Sequence, residues 1–67
     1  MHIYINDILE VIPDNITDVE KLVKHKEIPS AGTAIAINGK LAKRENWGIT
    51  PLKEDDRLMV ISATYGG

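Results

Sequence analysis

Residues 15–42 read NITDVEKLVKHKEIPSAGTAIAINGKLA, and the hydrophobic period changes inside that stretch. Val19, Leu22 and Val23 recur at helical spacing and share one face. Thr17 and Glu20 have the T-x-x-E spacing of a capping box, so the predicted helix runs from about Asp18 to His25. Lys24, His25 and Lys26 suit the negative end of its dipole. Pro29 and Gly32 close the segment. From Thr33 the period becomes that of a strand. Asn38-Gly39 is a turn signal, and a short return strand follows. Ala34 and Ala36 point one way, Ile35 and Ile37 the other.

Reading outward, the chain opens with MHIYIN, in which Met1, Ile3 and Ile5 alternate with His2, Tyr4 and Asn6. That is the pattern of a half-buried strand, with Ile3 and Ile5 facing the core. Asn6-Asp7 supplies turn residues, and ILEVI returns as a second strand that Pro13 ends. Downstream, KRENWGITPLKEDD is a polar connection with room for one helical turn around Arg44 to Trp47. Trp47 is expected to be a satellite anchor under that loop, while Pro51, Asp55 and Asp56 mark turns. RLMVISATY is the last strand. Its unbroken apolar first half predicts cover on both faces. Two hairpins and a final strand around one helix give an α+β roll in which the helix covers one sheet face.

The chain has 67 residues, enough for one domain and one thin core. A chain this small rarely encloses both a core and a ligand pocket, so catalysis by this chain alone is not expected. Having no cysteine excludes disulfides, Fe–S clusters, thiolate zinc sites and a persulfide held on this chain. The lack of cystine staples and of a basic-then-apolar leader predicts a cytoplasmic protein. No apolar run reaches membrane-spanning length. Eight Lys and Arg against ten Asp and Glu leave a net charge of −2, and the cations are dispersed. Lys40, Lys43 and Arg44 cluster only as a solvated turn would, so no nucleic-acid stripe is present.

The usual catalytic motifs are missing. His2 and His25 share no carboxylate at metal-ligand spacing, which predicts no metal site. Ser30 and Ser62 lack a nucleophile-elbow context. Gly32 and Gly39 belong to turns rather than a phosphate loop. Asp55 and Asp56 read as a solvated turn. In the last strand, alternation separates Leu58 and Val60, assigned to the core, from Met59 and Ile61. Met59 and Ile61, with Ala63 and Tyr65 beyond them, form the candidate partner surface. The strand then runs into Gly66-Gly67. Such an ending suits a frayed terminus, or a tail that threads into another protein, since glycine lacks a Cβ.

Three features together resemble the ThiS family of sulfur carrier proteins of thiazole biosynthesis. They are the strand-turn AIAING, the connection KRENWGITPLKEDDRL with Arg44, Trp47 and Pro51-Leu52, and the ending A-x-x-G-G at Ala63, Gly66 and Gly67. The likeness runs over essentially the whole chain. Asp55 stands where members commonly have glycine; aspartate tolerates the left-handed conformation better than most residues. The resemblance implies a ubiquitin-like β-grasp fold: a mixed sheet of four to five strands with one main helix on one face. Residues 1–67 would form a single domain with a flexible tail at about 64–67.

The resemblance also implies a function. The Gly67 carboxylate, presented with Gly66, would be adenylated by a ThiF-like enzyme using Mg-ATP, with no cofactor bound by this chain. It would then take sulfur from a cysteine desulfurase or similar source. As a thiocarboxylate it would deliver that sulfur to thiazole synthase for thiamine. A carrier for another pathway, such as molybdopterin synthesis, a ubiquitin-like protein modifier and a β-grasp interaction module remain open alternatives.

Overall fold

The computed structural model describes residues 1–62. Its elements are β1 (His2–Ile5), β2 (Ile8–Val11), α1 (Val19–His25), β3 (Thr33–Ile37), β4 (Lys40–Ala42), a 3₁₀ helix (Arg44–Ile49) and β5 (Arg57–Ser62). The five strands form one sheet in the order β2-β1-β5-β3-β4. β5 pairs parallel with β1 and antiparallel with β3, and every other pairing is antiparallel. This is the β-grasp arrangement, with the last strand in the middle of the sheet.

Both hairpins are built by their turn residues. Asn6 and Asp7 have φ of 52° and 68°, and Asn38 and Gly39 have φ of 50° and 84°. Positive φ at both central positions is what a type I′ turn needs. Its twist lets Ile5 pair with Ile8, and Ile37 with Lys40, across two-residue loops.

The helix begins one residue later than the T-x-x-E spacing predicts. Asp18, not Thr17, is the N-cap: its Oδ1 accepts from the Lys21 N–H at 2.8 Å, while the Thr17 hydroxyl accepts from Lys21 Nζ. Either residue type caps well, and the pairing of helix start with loop decides between them. The Val19 N–H donates to Thr50 O and the Leu52 N–H to Thr17 O, and Asp18 between them is extended and bridged to Pro51. At the other end the chain reverses through a Schellman motif. The Ile28 N–H donates to Val23 O and the Glu27 N–H to Lys24 O. Glu27 occupies the left-handed position at φ 55°, where glycine is usual, and Ile28 behind it is buried.

Val19, Leu22 and Val23 of α1 pack on Ile3, Ile5, Ile35, Leu58 and Val60 of the sheet, with Ile12, Ile16, Ile28, Trp47 and Leu52 closing the sides. Trp47 is therefore part of the single core rather than a satellite. Its Nε1 donates to Ala42 O at 2.9 Å, which ties the 3₁₀ helix to β4. β5 also departs from expectation: Leu58 and Val60 are buried, but Met59 and Ile61 are exposed, so the strand is covered on one face only. Asp56 is not a solvated turn residue either. It is buried, its Oδ1 accepting from Asn38 Nδ2 and its Oδ2 from the Lys53 N–H. Asp55, next to it, is exposed and takes the left-handed φ of 68°.

Candidate functional site

The helix and the 3₁₀ helix lie against one side of the sheet, and the described residues leave the other side bare. Cross-strand partners share a face. Ala36 stands opposite both Met59 and Leu41, and Ala34 opposite Ile61. Met59, Ile61 and Leu41 are 46%, 63% and 67% exposed, with only alanines between them on β3. The result is a low apolar patch: two small residues flanked by longer side chains on the central strand and on the edge strand. Towards β1 the patch is interrupted where the Arg57 guanidinium lies 4.1 Å above the Tyr4 ring, and exposed Leu9 and Val11 stand beyond it opposite Tyr4 and His2.

β5 is held more firmly near its end than its pairing alone would allow. β1 pairs with it only at Tyr4–Arg57 and Ile5–Leu58. Beyond that, the Asn6 backbone turns away into the hairpin while its side chain continues the ladder. Asn6 Oδ1 accepts from the Val60 N–H at 2.8 Å and Nδ2 donates to Val60 O at 3.3 Å. One side-chain amide thus satisfies both backbone groups that a further β1 residue would have met. On the other flank, β3 pairs as far as Thr33–Ser62. The strand is therefore held as far as Val60 on the β1 flank and as far as Ser62 on the β3 flank.

Of the residues singled out in the sequence, the structure brings Met59 and Ile61 together on the bare face. Ala63, Tyr65, Gly66 and Gly67, and the tail expected at about 64–67, lie outside the described residues. Leu41, Ala34 and Ala36 complete the patch. The alternation of β3 and β4 carried that signal once the register was known. The Asn6 clamp had no such signal, since a turn asparagine looks the same whether or not its amide reaches a neighbouring strand.

His2 and His25 stand apart. His2 Nδ1 lies 3.0 Å from Glu54 Oε2, and the His2 N–H donates to Glu54 Oε1 at 2.9 Å. That backbone hydrogen bond is the main reason the Glu54 carboxyl titrates below the ordinary glutamate range; the His2 side chain and the N-terminal charge add to it, against desolvation. Among the described residues no three His, Asp or Glu side chains gather as metal ligands would. Nor is any helix there long and apolar enough to cross a membrane.

The family model described as ThiS family matches residues 4–67. The crystal structure of a thiamine biosynthesis protein (ThiS) from Geobacter metallireducens is similar at a TM-score of 0.83 and 20% identity, with both chains covered in full. An NMR solution structure of a thiamine biosynthesis protein from the same organism gives 0.79 at 19% identity, covering 100% of this chain and 88% of that one. At such identities the structural likeness speaks for the fold. No curated protein matches the chain significantly.

Proposed function

The chain belongs to the ThiS family, and from that premise we propose that it is a sulfur carrier protein of thiamine biosynthesis, a substrate passed between enzymes rather than a catalyst. The observation that carries this reading is the family match itself, which extends through Gly66 and Gly67. The β-grasp sheet with a fixed central β5 supports it.

In this reading Gly67 supplies the working carboxylate. At neutral pH it is an anion and a poor electrophile. A ThiF-like adenylating enzyme uses Mg-ATP to join it to AMP, which gives the acyl carbon a good leaving group. The terminal sulfur of a cysteine-derived persulfide displaces AMP to give an acyl persulfide, and a second thiol then cleaves its S–S bond, leaving the thiocarboxylate on Gly67 and a disulfide between the two thiols. The thiocarboxylate is the form that thiazole synthase consumes.

The body of the protein has two tasks in this sequence. Ordering an extended tail costs roughly 1–2 kcal/mol per residue in backbone entropy, more for glycine. The bare apolar face with Met59 and Ile61 offsets that cost by docking the partner. The Asn6 clamp and the β3 pairing aim the end of β5, so the partner meets a strand of fixed direction.

The test is the intact mass of the chain before and after incubation with the adenylating enzyme of the same cell, Mg-ATP, cysteine and a cysteine desulfurase. Replacement of one oxygen by sulfur, absent when Gly67 is deleted, is the expected result. No gain with an enzyme shown to act on another carrier refutes the proposal, and isopeptide-linked conjugates would mark a protein modifier instead.

A further inference from the structure

We infer that the cleft beside the outer edge of β4 is a docking site for an acidic, extended segment of a partner protein. The cleft has a volume of about 470 Å³, and its walls include Lys40, Leu41, Lys43, Asn46 and Lys53. All three lysines are exposed, and among the described residues none forms an ion pair. Among the described residues the one carboxylate in the wall is that of Asp56, which is buried and already accepts from Asn38 Nδ2 and the Lys53 N–H. Three lysines without an ion pair among the described residues therefore line one cleft of a chain whose net charge is −2. Charge complementarity at this cleft favours an acidic partner.

The shape selects an extended chain over a compact anion. The lysines stand on three separate segments: in β4, just after it, and in the loop before β5. Among the described residues the strand between them is the last of the sheet, with no strand paired on its outer side. An added strand can pair with such an edge through its backbone while its carboxylates meet the lysines and its alternate side chains meet Leu41. The cleft lies beside Asn38 and Asp56, near the start of β5. It is about 17 Å, five strand steps, from Ser62, so an occupant leaves that end of β5 clear. Leu41 borders both cleft and bare face, so one partner can cover both. The inference does not rest on the sulfur-carrier reading.

The test is an NMR titration of the ¹⁵N-labelled chain with a capped hexapeptide alternating glutamate and valine, its glutamine counterpart, and inorganic phosphate. The glutamate peptide is expected to shift the amides of Lys40, Leu41, Lys43 and Lys53, and to bind about tenfold tighter than the glutamine peptide at low salt. That advantage should vanish in the triple variant Lys40→Gln, Lys43→Gln, Lys53→Gln, whose melting temperature stays at the wild-type value. Equal binding of the two peptides, no shift up to about 1 mM, or shifts at Met59 and Ile61 instead would overturn the inference. So would displacement of the peptide by equimolar phosphate, which would mark a small-anion site.

Discussion

Replacing Asn6 by alanine should be among the most damaging single changes outside the core. Asn6 meets Val60 through two hydrogen bonds, at 2.8 and 3.3 Å. Each has a net value of about 1 kcal/mol, and more where a part-buried partner is left unpaired. Asn6 also sits at φ 52°, a conformation that costs alanine roughly 1 kcal/mol more than asparagine or glycine. The sum for Asn6→Ala is about 3 kcal/mol, a large part of the ~3–10 kcal/mol expected for a domain of this size. Asn6→Gly removes the hydrogen bonds without the conformational penalty and should cost about 2 kcal/mol. Buried Trp47 is the only tryptophan and reports unfolding in urea. At about 4–8 °C per kcal/mol, the alanine variant should melt some 12–24 °C below wild type. Hydrogen exchange gives a second reading: the Val60 amide should lose more protection than the change in global stability explains. Both variants within about 0.5 kcal/mol of wild type, with Val60 still protected, would refute the clamp.

Glu27→Gly should raise stability by about 1 kcal/mol, seen as a higher urea midpoint, because glycine takes the left-handed Schellman position without the Cβ penalty. The Glu54 carboxyl is depressed in the fold, chiefly by the His2 N–H. Its contribution is therefore present above the ordinary glutamate range and fades as pH falls through the lowered folded value. The stability difference between wild type and Glu54→Gln should shrink in acid; a gap that widened there would contradict the assignment. If the proposed function holds, Met59→Glu and Ile61→Glu should weaken binding to the adenylating enzyme proposed as partner, measured by calorimetry, while leaving the melting temperature unchanged, because both side chains point away from the core.

Turn chemistry and helical spacing made much of this fold legible. Asn6-Asp7 and Asn38-Gly39 mark type I′ hairpins whatever surrounds them, and Val19, Leu22 and Val23 form the buried face that their spacing implies. What stayed hidden depends on contacts distant in sequence. Leu58, Met59, Val60 and Ile61 are all apolar, so composition could not say how many faces of β5 are covered. Asp55 and Asp56 are adjacent and chemically identical, yet Asn38 draws only Asp56 into the interior. Thr17 and Asp18 are both good caps, and the loop around Thr50 and Leu52 chooses between them. Of the candidate site, the exposed pair on β5 could be read from alternation. Its flanking alanines and Leu41 needed the strand register.

The order β2-β1-β5-β3-β4 also constrains how the protein is made. Until β5 arrives, β1-β2 and β3-β4 are separate hairpins with no shared edge, and an isolated hairpin is marginal in water. Asn6 and Val60 meet across 54 positions of sequence, so closing the sheet requires both to be free of the ribosome. Synthesis would thus yield a folded body only once residues through Ser62 have emerged.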